Sequence, residues 1–98
     1  MNFNERCYRV LQKVPKGSVT TYKEIAHALK SKAYRAVGNA MNKNPHAPLV
    51  PCHRVIRNDG FVGGFASGTA KKTEMLRKEG IEIIDGKIDL DKYLFSFS

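Results

Sequence analysis

Apolar residues recur at helical spacing from the start of the chain. Phe3, Cys7, Val10, Leu11 and Val14 fall on one face of a helix predicted over 3–14. Asn2 and Glu5 suit its N-terminal cap, and Pro15-Lys16-Gly17 ends it. Cys7 lies on the buried stripe, which makes it a structural residue. Ser18-Val19-Thr20 reads as a short extended link. Thr21 with Glu24 forms a capping box for a second helix whose Ile25, Ala26 and Leu29 face inward. After a turn at Lys30-Ser31-Lys32, a third helix is predicted from about Ala33 to Lys43. Its apolar face is Ala33, Ala36, Val37, Ala40 and Met41, with Arg35, Asn39 and Asn42 on another face. Two short helices joined by a tight turn, the second carrying Arg and Asn, suit a helix-turn-helix, although any small α-hairpin shares the pattern.

Beyond residue 50 the pattern shortens. Arg54 to Ile56 reads as extended, Asn58-Asp59-Gly60 as a hairpin turn and Phe61-Val62 as the returning strand. Gly63 to Gly68 is a glycine-rich loop without the Lys-Thr that a nucleotide-phosphate loop needs. A fourth helix is predicted from about Thr69 to Glu79, closed by Gly80. Ile81 to Leu90 alternates around Asp85-Gly86 as a small hairpin, and Tyr93-Leu94-Phe95 is expected to dock on the core. No internal repeat or linker interrupts the chain.

A length of 98 residues suits one domain with a single core. No signal peptide is read at the start, and no apolar run reaches membrane-spanning length. The two cysteines, Cys7 and Cys52, have neither a disulfide framework nor a zinc spacing, so a reducing, cytoplasmic setting is expected. Lys plus Arg number 17 against 9 for Asp plus Glu, a net charge of +8. Such an excess suits a polyanionic partner, though a basic protein without one has the same composition.

The candidate chemistry lies at Cys52. Pro45, Pro48 and Pro51 fix φ and withhold backbone donors, so the chain reaches Cys52 as a stiff, non-helical segment. A free cysteine is often only a small buried hydrophobe. Here, however, Pro51-Cys52-His53-Arg54-Val55 resembles, letter for letter, the active-site motif of the O6-alkylguanine-DNA alkyltransferases, the suicide DNA-repair proteins. Thr21-Tyr22 with Glu24-Ile25-Ala26, and Arg35-Ala36-Val37-Gly38 with Ala40-Met41, resemble that family's two helix blocks at matching distances from the cysteine. The resemblance runs from about Cys7 to about Gly80.

The resemblance implies a mainly α fold with small β elements, a winged helix-turn-helix-like DNA-binding domain. The whole of 1–98 is then one alkyltransferase domain, without the N-terminal domain many members carry. The implied reaction moves an alkyl group from guanine O6 to Cys52, once, in double-stranded DNA containing O6-alkylguanine. It needs no cofactor and no metal; the implied protein is a monomer away from membranes. His53 would take the thiol proton through a water, oriented by Glu79. Tyr22 would assist the departing guanine at N3, and Asn44 would brace the active-site turn. The second helix of the pair would enter the minor groove, where readout is degenerate. Its small residues Ala36 and Gly38 would allow close approach, with Asn39 beside them, and Arg35 would fill the gap left by the flipped base. Met41, Val55, Gly64, Phe65, Ala66 and Ser67 would line the pocket. Phe65 stands where the family usually has tyrosine, and Ala66 where it has serine or a larger residue.

Three other readings share parts of this pattern. Alkyltransferase-like proteins bind alkylated DNA without transfer, but replace the cysteine, commonly by tryptophan, and Cys52 stands against them. A winged-helix transcription regulator leaves Cys52, His53, Tyr22, Asn44 and Glu79 at family spacing unexplained. A Cys-His hydrolase lacks a separate substrate cleft.

Overall fold

The computed structural model describes residues 1–46, 49–63 and 68–97. Pro48 in the proline-rich approach, and Gly64, Phe65, Ala66 and Ser67 in the expected pocket loop, lie outside the described residues.

Helix α1 spans Phe3–Leu11, and Asn2 Oδ1 accepts the Glu5 N–H at 2.8 Å, as its cap predicts. It stops short of residue 14 because Pro15 disfavours helical backbone at Val14. The last turn instead closes with tighter bonds, Lys13 N–H to Val10 at 3.1 Å and Val14 N–H to Leu11 at 3.0 Å. Helix α2 (Tyr22–Ala28) starts from the Thr21 hydroxyl, which accepts the Glu24 N–H at 3.1 Å. Lys30, at φ 56°, reverses the chain, and the Ser31 N–H returns to the Ala26 carbonyl at 2.8 Å. Helix α3 covers Tyr34–Asn42. Its buried stripe is narrower than the expected one: Val37, Ala40 and Met41 are buried, while Ala33 is an exposed cap position and Ala36 is only half-buried. The Tyr8 hydroxyl donates to the Ala40 carbonyl at 2.8 Å, tying α1 to α3.

The segment read as a link forms strand β1, Thr20–Thr21, which pairs in parallel with β2, Val55–Ile56. The turn at Asn58-Asp59-Gly60 closes as expected, with Arg57 N–H to Phe61 at 3.0 Å. The returning Phe61-Val62, however, pairs with the next hairpin rather than continuing along β2: Val62 N–H bonds to Gly86 and Ile88 N–H to Gly60. That hairpin turns at Asp85 (φ 53°) and Gly86 (φ 76°), between Ile84 and Lys87, which exchange two 3.0 Å bonds. Helix α4 (Thr69–Lys78) precedes it, and a short helix α5 (Leu90–Tyr93), absent from the sequence reading, follows. Leu94 then bridges Val19 in parallel.

Two apolar clusters result. Cys7, Leu11, Ile25, Val37, Met41 and Val55 belong to one; Val19, Ile56, Val62, Leu76, Ile81 and Ile88 belong to the other. Because strand side chains alternate, Val55 enters the first and Ile56 the second. β2 is therefore pinned between both cores, directly after Cys52-His53-Arg54.

Candidate active site and DNA-binding face

Cys52, His53 and Arg54 form a single 3₁₀ turn, with Arg54 N–H to Pro51 at 2.9 Å and Val55 N–H to Cys52. An extended backbone would point Cys52 and His53 to opposite faces. The turn instead leaves Cys52 half-buried against the first core and sends His53 inward, at 4% exposure. The approach to the turn is braced from Asn44. Its amide donates to the Val50 carbonyl at 2.8 Å, its oxygen accepts the His46 N–H at 2.9 Å, and the Cys52 N–H bonds to that same Val50 carbonyl at 2.9 Å.

His53 Nε2 meets Glu79 Oε2 at 3.0 Å. A carboxylate only accepts, so Nε2 carries the hydrogen and the lone pair of a neutral ring sits on Nδ1. Glu79 caps the C-terminus of α4, where the helix dipole disfavours an anion. Burial by itself also raises its carboxyl, but hydrogen bonds from Arg54 and His53, with their charges, outweigh this and hold the group below its ordinary value. Arg54 forks onto both oxygens, Nε to Oε1 at 2.9 Å and Nη2 to Oε2 at 2.7 Å, and its Nη1 donates to the Val14 carbonyl at 2.9 Å. The sequence reading gave Arg54 no role beyond its place in the motif.

Lys72 was also missed. It is 1% exposed, on the inner face of α4 one turn before Leu76. Its Nζ lies 4.0 Å from where a Cβ on Gly63 would sit, beside the start of the pocket loop. Burial lowers its ammonium to about 8, partly opposed by the Cys52 charge. A lysine in register with a buried leucine was the available sequence signal. Tyr22, half-buried at the head of α2, packs on the same core as Cys52. Burial, and then the Cys52 charge, push its phenol above its ordinary value, so it remains a donor at neutral pH. Tyr22 also lines a cleft of about 280 Å³ with Arg57, Asn58 and Asp59.

On α3, Arg35 and Asn39 are exposed, Ala36 and Gly38 half-buried, and no heavy atom lies within 4 Å of a Cβ built on Gly38. Arg35, Gly38, Asn39 and Asn42 follow helical spacing and make one outward face, opposite Val37, Ala40 and Met41. Met41 and Val55 are buried in the first core rather than open to solvent.

A helix-turn-helix pair exposing Arg35 and Asn39, together with a half-buried cysteine on a 3₁₀ turn beside a histidine–glutamate pair, defines the class as a DNA-binding domain. The chain belongs to the family of 6-O-methylguanine DNA methyltransferase, DNA binding domain, whose model matches residues 2–81. It is 47% identical over 79 residues to a methylated-DNA–protein-cysteine methyltransferase of Methanosarcina barkeri, covering 80% of this chain and 50% of that one. Among solved structures it resembles S. pombe Atl1 in complex with damaged DNA containing O6-carboxymethylguanine, with a TM-score of 0.86 and 30% identity over 96% of this chain and 94% of Atl1. It also resembles Mycobacterium tuberculosis OGT in complex with DNA, with a TM-score of 0.77 and 39% identity over 81% of this chain and 50% of that one. The chain spans about half or less of the length of the curated relatives it matches.

Proposed function

We propose that this chain is a DNA-repair domain that transfers an alkyl group from O6 of guanine in duplex DNA to the sulfur of Cys52, once per molecule. The observation that carries the reading is the 3₁₀ turn that sets Cys52 beside His53, with His53 Nε2 held by Glu79 at 3.0 Å. His53 Nδ1 takes the thiol proton, directly or through one water. The sulfur attacks the alkyl carbon, a C–S bond forms and the C–O6 bond breaks with its electron pair going to guanine. The released guanine gains one proton, which balances the one the thiol gave up. Tyr22, kept as a phenol, donates a hydrogen bond at guanine N3 as charge leaves. The product thioether has no leaving group that this site can displace, so the protein is consumed. The Val55 N–H is used within the turn, on the Cys52 carbonyl; the second lone pair of that carbonyl, with the Val55 carbonyl, receives the guanine amino hydrogens.

Arg35 reaches from α3 into the base stack while Ala36, Gly38 and Asn39 meet the minor groove. The net charge of +8 suits a duplex partner bound mainly through phosphates. The chain acts as one domain and as a monomer. Binding without transfer is the second reading, and the similarity to Atl1 over nearly the whole of both chains favours it.

Incubation with duplex DNA containing O6-methylguanine, followed by mass spectrometry, separates them. One methyl mass on the peptide containing Cys52, abolished in Cys52→Ser while binding persists, is the expected result. Tight binding with no added mass establishes the second reading, and methylation confined to Cys7 overturns the assignment of the nucleophile.

A further inference from the structure

The Arg54 guanidinium does more than fill space. It engages both oxygens of Glu79, at 2.9 and 2.7 Å, and is anchored by the Val14 carbonyl at 2.9 Å. His53 shares Glu79 Oε2 with Arg54 Nη2. The carboxylate is therefore aimed by a planar fork whose other end is fixed to the turn after α1. A bidentate fork fixes direction as well as distance, which a lysine at the same place cannot do. We propose that Arg54 is a positioning residue of the relay: it holds Glu79 as an anionic acceptor for the His53 N–H while His53 gains the proton of Cys52.

Two effects at Glu79 oppose the anion, partial burial and the negative end of α4. His53 alone is a weak counterweight while neutral, so the fork must supply the rest. Two other cations near the end of α4 are committed elsewhere. Lys78 pairs with Glu74 at 3.0 Å and Arg77 donates to the Ile83 carbonyl at 3.0 Å. Lys72 interacts electrostatically with Cys52. Lys16 lies in the loop whose Gly17 abuts the Glu79 backbone. Without Arg54, Glu79 takes up a proton at a higher pH. It then no longer presents an anion to His53, and the relay fails in mild acid where the wild type still works.

This inference rests on the transfer reading, so its test has a readout that does not. The Glu79 side-chain carboxyl is titrated by carbon NMR in protein without DNA, and single-turnover transfer is followed across pH at saturating DNA. In Arg54→Lys, and more so in Arg54→Met, the Glu79 titration should move up by about one unit or more. The acidic limb of the rate profile should move with it, slowing transfer about tenfold per unit on that limb and much less at alkaline pH. If Arg54→Met does not fold, Arg54→Lys retains a cation and still lacks the fork. In Arg54→Met/Glu79→Gln, which buries no unpaired charge, the displaced limb should vanish. A shifted Glu79 titration without any transfer would sink only the transfer reading. An unmoved titration, with rates lowered equally at every pH, would show that Arg54 merely supports the fold.

Discussion

Lys72 ties the stability of the fold to pH. A buried ammonium is costly, and its value falls to about 8 from 10.5. The unfolded chain therefore holds this proton more tightly than the folded one between those limits, and rising pH stabilises the fold across that window. The thermal midpoint of the wild type should accordingly gain more between about pH 8 and 10.5 than that of Lys72→Met, which lacks this titration. Melting curves of both proteins at pH 7 and pH 10 check this; an equal change in the two midpoints contradicts the account. Cys7 is the contrasting case, fully buried with its thiol pushed up by burial against a smaller opposing effect of Arg6. The sequence could separate the two cysteines, because Cys7 sits on a helical apolar stripe and Cys52 does not. It could not give Lys72 or Arg54 their roles. Both depend on which residues α4 and the turn bring together across the fold.

Among the elements, those written in local periodicity and caps were readable in advance: α1 from Asn2, α2 from Thr21 and the Asp85-Gly86 turn. The parallel β1–β2 pair was not. Each strand has two residues, too few to show alternation, and the partners are far apart in sequence. The 3₁₀ turn at Cys52 was not legible either, because three residues set no periodicity. Asn44, expected to brace that turn, bonds to Val50 and His46, and the geometry gives its removal an energetic cost. Asn44→Ala removes both a donor to Val50 and an acceptor for His46. Denaturant unfolding should register a loss of about 2 kcal/mol, and transfer should slow because the Val50 carbonyl also holds the Cys52 N–H. Asn44→Asp keeps the acceptor and should lose less stability. Equal stability in Asn44→Ala and the wild type would mean that the proline-rich approach holds the turn unaided.

For the molecule as a whole, the net charge and the open face of α3 make separate contributions to DNA binding, and salt tells them apart. Affinity resting on phosphates falls by roughly 0.9 log units per log unit of salt for each phosphate neutralised. Arg35 is exposed on the same face as Gly38 and Asn39, at the position read as entering the stack when the target base leaves it. A residue there works against the cost of flipping, about a few kcal/mol, and adds little to the count of released ions. Arg35→Ala should then slow repair of duplex DNA at saturating protein–DNA complex far more than it slows reaction with the free base O6-benzylguanine. The slope of log affinity against log salt should change by less than about one. An arginine bound to a phosphate predicts the reverse: a slope reduced by about one, and a rate restored once the DNA is saturating. Equilibrium binding at several salt concentrations, paired with single-turnover rates on duplex and free base, decides between them. A mutant that repairs duplex at the wild-type rate when saturated would place Arg35 at the backbone and leave the work of holding the duplex open to other residues of the α3 face.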